Sequence, residues 1–181
     1  MKFVESKLKG AYLVEIEKLE DERGFFGRAF CCEEFEEMGL NADIKQINTS
    51  FSPKKGTLRG LHYQIDPFQE VKFVRCIQGK IFDVIIDLRP DSPTFLEWDG
   101  YELSAENGRM MYVPENFATG FITLEENSGI YYSTTQCYVP GAERGIRYDD
   151  PSIGIEWPAE ITSVSDKDRD REDLDVKALG D

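Results

Sequence analysis

The chain has 181 residues, a length that fits a single domain over 1–181 and lets it bury roughly 70% of the surface its unfolded form exposes. Its net charge of -14 argues against nucleic acid or an anionic membrane as partner. No run approaches the roughly 20 apolar residues of a spanning helix, and the N-terminal stretch lacks a signal-peptide core, so a soluble, cytoplasmic protein is expected.

Taken in chain order, residues 32–38 (CEEFEEM) predict a short helix closed by Gly39. Residues 58–64 form a strand-like run. Val71 to Ile77 is another, and Gln78-Gly79-Lys80 predicts a hairpin turn into the next. In Ile81 to Leu88 the alternation puts Phe82, Val84, Ile86 and Leu88 on one face and Asp83 and Asp87 on the other, which predicts a half-buried strand. Further strand-like runs follow at 109–113, 118–123 and 129–138. Gly, Pro, Asn and Asp punctuate these runs at short intervals, the pattern of an all-β sandwich or barrel. Residues 166–172 follow Ser165, a good N-cap, and predict a second short helix.

The cysteines, Cys31, Cys32, Cys76 and Cys137, contain no CxxC pair and read as reduced thiols, not as a disulfide framework or a zinc site. The chain holds one histidine, His62, too few for the multi-histidine metal site of many small β-barrels. No GxSxG elbow accompanies it. His62 lies in Gly56-Thr-Leu-Arg-Gly-Leu-His-Tyr-Gln64, where strand alternation would put it on one face with Gly60 and Gln64. That local pattern leaves a packed histidine and a catalytic one equally open.

At this point the residues carry a likeness. Asp21-Glu-Arg-Gly-Phe-Phe26, Gln46-Ile-Asn-Thr-Ser50, Leu58-Arg-Gly-Leu-His-Tyr-Gln64 and Lys72-Phe-Val-Arg-Cys76 occur in order. Gly79-Lys-Ile-Phe-Asp-Val84, Val113-Pro-Glu-Asn-Phe-Ala118, Gly145-Ile-Arg147 and Ile155-Glu-Trp-Pro158 continue it. Together they resemble the dTDP-4-dehydrorhamnose 3,5-epimerase family over about residues 12–170. The resemblance implies a cupin-like double-stranded β-helix, or jelly roll, all-β with a few short helices. It also implies a homodimer, a nucleoside-diphosphate sugar as substrate, no cofactor, and inversion of C3 and C5 of a 4-keto-6-deoxyhexose.

Hydrogens at C3 and C5 flank a C4 ketone. Inverting either carbon needs a base on one ring face, an acid on the other and a group that holds the enolate oxygen. By resemblance His62 is the base, Asp168 of Ser165-Asp-Lys-Asp168 orients it, Tyr132 is the acid and Lys72 faces the ketone. Local sequence offers plainer readings: Asp168 as a helix-start carboxylate, Tyr132 as strand packing, Lys72 as an exposed strand lysine. The resemblance further implies nucleotide-binding roles for Arg23, Phe26, Gln46, Asn48 and Arg59, with the 23–28 segment reaching the neighbouring protomer's site, and puts Tyr138 near the ligand. It gives Arg147 no role.

Two positions depart from the family pattern. Phe117-Ala-Thr-Gly-Phe121 carries Thr119 where relatives usually carry a histidine, and Arg28 stands where they usually carry a glutamate. Both are expected near the substrate. Thr119 leaves open an epimerase of C3 or C5 alone, or a sugar-nucleotide-binding relative without catalysis. Arg28 leaves open a CDP- or GDP-sugar. A ketoisomerase on a related jelly roll would carry a different histidine pattern.

Overall fold

The computed structural model describes residues 1–176. In chain order the strands are β1 (Lys2–Glu5), β2 (Tyr12–Glu15), β3 (Leu19–Asp21), β4 (Gly24–Phe26), β5 (Gln46–Ser52), β6 (Leu58–Gln64) and β7 (Lys72–Gln78). They continue as β8 (Lys80–Asp87), β9 (Trp98–Ser104), β10 (Met110–Val113), β11 (Phe117–Thr123), β12 (Ser128–Thr134) and β13 (Glu143–Gly145). The helices are α1 (Cys32–Glu37) and α2 (Asp166–Arg169).

Two antiparallel sheets face each other. One runs β1-β2-β10-β7-β12-β5, the other β13-β6-β11-β8-β9. From β5 onward consecutive strands alternate between the two sheets, except that β8 and β9 are neighbours in one, as expected of the all-β jelly roll; β1 pairs with β2, and β3 and β4 form a separate hairpin. The hairpin expected at residues 78–80 does not form. Gly79, at φ +67°, carries the chain from β7 in one sheet to β8 in the other, and β8 pairs with β9 and β11 instead.

Apolar alternation explains three packed layers. Between the sheets lie Leu13, Val74, Ile81, Ile85, Met111 and Ile130. Outside the five-stranded sheet, Leu61, Val84, Ile86 and Ala118 are covered by Ile153, Ile155 and Trp157 from the C-terminal segment. Outside the six-stranded sheet, Phe73, Met110 and Tyr112 are covered by Phe35 of α1 and by Phe3 and Phe30. β8 is therefore buried on both faces, not half-buried. Asp83 shares its inner face with Ile81 and Ile85, and Asp87 is equally buried, accepting from Arg89, Ser92 and Thr94.

α1 ends as expected. Gly39, at φ +72°, lets the Leu40 N–H reach the Phe35 carbonyl at 2.9 Å and its own N–H the Glu36 carbonyl at 2.9 Å. α2 is shorter than predicted, stopping at Arg169, and Ser165 caps it by accepting from the Asp168 N–H at 3.2 Å. All four cysteines are free. No helix among the described residues is long and apolar enough to cross a membrane.

Candidate active site

A cleft of about 1130 Å³ opens between the sheets beside the apolar interior. Strand β6 supplies one wall, and an irregularity decides what it presents. Thr119 of β11 pairs with His62, but Phe121 pairs with Arg59, so one residue of β11, Gly120, spans Gly60 and Leu61 together. This bulge shifts the phase of β6. Arg59 and His62, three residues apart, both face the cleft, while Leu61 goes to the outer layer. The face shared by His62 and Gly60, expected from plain alternation, does not exist. Gly60 and Gly120 are required at this crossing, since a Cβ on Gly60 would lie 2.6 Å from the Gly120 Cα.

His62 and Asp168, 106 positions apart, meet at 2.6 Å between Nε2 and Oδ1. Asp168 is 4% exposed; its other oxygen accepts from the Gly60 N–H at 3.3 Å. Burial opposes its charge, but the bonds from His62, Ser165 and Gly60 together prevail and hold its carboxyl below the usual range. The helix-start carboxylate and the imidazole partner are thus one residue: α2 exists to deliver Asp168 to β6.

The facing wall comes from the six-stranded sheet. Lys72 is only 12% exposed; it lies 3.2 Å from Glu70 and donates to the His62 carbonyl at 2.9 Å. On β12 the register separates the two tyrosines. Tyr132 pairs with Asn48 and Val74 and lines the cleft, whereas Tyr131 pairs with Thr49 and Arg75 and turns outward. Burial, with Glu70 and Glu143 nearby, raises the Tyr132 hydroxyl above its ordinary value, so it keeps its proton at neutral pH.

Polar groups form the rim. Arg59 donates to Ser52 Oγ at 3.2 Å and to the Phe51 carbonyl at 3.3 Å. Gln46 binds Asn48 and the Tyr138 backbone, both at 3.1 Å, which ties the half-exposed Tyr138 ring to the mouth. The Asn48 amide nitrogen is buried with no hydrogen-bond partner. Thr119 lies inside the cleft, 6% exposed.

Arg23, Phe26 and Arg28 lie elsewhere. Arg23 pairs with Asp21 at the tip of the β3–β4 hairpin, Phe26 is 72% exposed, and Arg28 binds Glu34 of α1 at 2.8 Å. None of the three lines this chain's own cleft.

Four charged side chains of the cleft have no role in the sequence reading: Glu70, Asp83, Glu143 and Lys167. Glu143 pairs with Lys167 and lies 3.6 Å from Arg171. For Asp83 the signal was present, since isoleucines at 81 and 85 on its own face mark that face as interior. The other three gave none, being charged residues in loops or short segments. Among the described residues no three His, Cys, Asp or Glu side chains gather as a metal site requires.

A family model described as dTDP-4-dehydrorhamnose 3,5-epimerase matches residues 5–175. The chain belongs to this family. It is 44% identical to the dTDP-4-dehydrorhamnose 3,5-epimerase of Shigella flexneri, over 93% of each chain. The epimerase of Bacillus anthracis with TDP and PPi bound superposes with a TM-score of 0.92 at 39% identity, over 96% of this chain and 99% of the other. A Legionella pneumophila epimerase in complex with dTDP-4-keto-L-rhamnose gives 0.86 at 38% identity, over 92% and 89%. In this family member the expected catalytic four, His62, Asp168, Lys72 and Tyr132, share one cleft with Arg59, Gln46, Asn48, Thr119 and Tyr138.

Proposed function

We propose that the chain is an isomerase that epimerises a dTDP-linked 4-keto-6-deoxyhexose at C3 and C5 by proton transfer beside the C4 ketone. One observation carries this: a histidine–carboxylate pair on one wall of a cleft faces a lysine and a protonated tyrosine on the other. Base and acid on opposite walls suit opposite faces of a sugar ring between them.

In the neutral imidazole Nε2 carries its hydrogen toward Asp168, which leaves Nδ1 with the lone pair that takes the proton. The C–H electron pair moves into the ring and the C4 oxygen gains charge, opposite the Lys72 ammonium. Tyr132 returns a proton to the other face, inverting the carbon. His62 releases its proton and Tyr132 recovers one from water, and the cycle repeats at the second carbon.

The nucleotide end lies toward the rim. Glu70, Glu143 and Asp168 are each paired within the cleft, to Lys72, Lys167 and His62. Arg59 makes only neutral contacts among its bonds above, and its fork suits a diphosphate. A second chain would add the exposed Arg23 and Phe26, a cation and a ring, to this rim. The part of the six-stranded sheet's outer face that α1 leaves uncovered, on β5, β12 and the end of β7, with Ile47, Phe51, Ile77 and Tyr131 all more than 40% exposed, supports pairing of two copies.

Thr119 leaves open a second reading, epimerisation at one carbon. Incubation with dTDP-4-keto-6-deoxyglucose in D2O separates the two. Deuterium at both C3 and C5 is expected; deuterium at one carbon supports the second reading, and none refutes both.

A further inference from the structure

Glu70 is a cleft carboxylate to which the scheme above gives no part. Its side chain is 11% exposed and lies 3.2 Å from the Lys72 ammonium, itself 12% exposed. A buried ion pair of this kind adds little to stability, because desolvation offsets its attraction. Its neighbours form a closed circuit. Gln64 follows His62 on β6, is 3% exposed and donates to Glu70 Oε2 at 3.3 Å. Gln64 is fixed in turn: it donates to the Phe68 and Cys137 carbonyls at 3.1 and 3.3 Å and accepts from the Val139 N–H at 2.8 Å. Glu70 faces Lys72, and Lys72 donates back to the His62 carbonyl at 2.9 Å. Because β6 and β7 belong to different sheets, this circuit ties the two walls of the cleft together beside the base.

We propose that Glu70 is a positioning residue that acts through Lys72, fixing the ammonium relative to His62 before the substrate arrives. The proposal rests on the reading of the cleft as an epimerase site. A lysine is a compact charge on a flexible stem. Left free in this cleft, it would follow the diphosphate, the strongest anion there. Held between Glu70 and the His62 carbonyl, it stays with the reacting carbons. One of its three N–H donors goes to that carbonyl, and the others remain for the C4 oxygen. A donor already in place costs no rearrangement as the enolate gains charge. Glu70 itself touches neither the sugar nor a moving proton in this scheme.

Glu70→Ala frees the ammonium; Glu70→Gln keeps an oxygen that can still accept from it. Urea unfolding of both should remain cooperative. Deuterium exchange into dTDP-4-keto-6-deoxyglucose, followed from low to saturating substrate, separates kcat from KM, and calorimetry gives the dTDP affinity. Glu70→Ala should lose at least about tenfold in kcat, with KM and dTDP affinity close to the parent's. Glu70→Gln should recover a good part of that loss. Trace acetylation of the ligand-free chain, read by peptide mass spectrometry, reports the hold on Lys72 without turnover. Lys72 should label severalfold faster in Glu70→Ala than in the parent. Parent-like or faster exchange in Glu70→Ala, an equal loss of dTDP affinity, no recovery in Glu70→Gln, or unchanged labelling of Lys72 would overturn the proposal. A parent chain that exchanges no deuterium would refute the epimerase reading alone, and the labelling would still judge whether Glu70 holds Lys72.

Discussion

Asp168 shows how one residue serves fold and chemistry together. It lies in the first turn of α2, bonded through its backbone to Ser165, and its carboxylate reaches Nε2 of His62. Replacing it with Asn should slow exchange about 10²–10³-fold, since an amide neither fixes the ring nor stabilises the imidazolium. The change should also appear in stability. The Asp168 carboxyl titrates below its ordinary value in the folded chain, so it contributes stability that is fully present above about pH 4 and lost as pH falls through the folded value. The difference in urea midpoint between parent and Asp168→Asn should be widest near neutral pH and close below about pH 4. A difference that grows toward acid would contradict the pairing. Local sequence could not find this contact, because 106 positions separate the partners. The family likeness pointed to it; the strand pattern did not.

At the scale of elements, strands were legible wherever side chains alternate, and β6 was legible to its exact bounds. Two errors have one cause: alternation reports burial, not which sheet a strand joins or where its register slips. Gln78-Gly79-Lys80 has hairpin chemistry, yet β7 and β8 belong to different sheets. The bulge in β6 depends on Gly120 of β11, 60 positions beyond Gly60, and no local pattern announces it. That bulge sets Arg59 and His62 on one face. Gly60, at φ +114°, would gain a Cβ 3.0 Å from the Thr119 carbonyl oxygen as well as against Gly120. Gly60→Ala should therefore lower stability by about 1–3 kcal/mol and slow exchange, read by urea unfolding and by deuterium incorporation. Parent-like values for both would show that the crossing tolerates a side chain.

For the whole molecule, the acidic balance and the site pose one problem. A chain of net charge -14 must hold a diphosphate, and most cations of its cleft already face carboxylates. The exposed β3–β4 hairpin and the uncovered sheet face answer it together if two copies pair. Phe51→Glu with Ile47→Glu should convert a dimer to a monomer in sedimentation and weaken dTDP binding about tenfold. A variant that remains dimeric, or a monomer with full affinity, would remove the hairpin from the site. The likeness supplied this arrangement; composition supplied only the need for it.

The central claim is that one base, His62, starts both inversions. Deuterium incorporation from D2O into dTDP-4-keto-6-deoxyglucose, compared between the parent chain and His62→Ala, tests it most directly. The parent should label C3 and C5. His62→Ala should label neither, at a rate at least about 10³-fold lower, with dTDP affinity unchanged. Label at either carbon at the parent's rate in His62→Ala would contradict the claim.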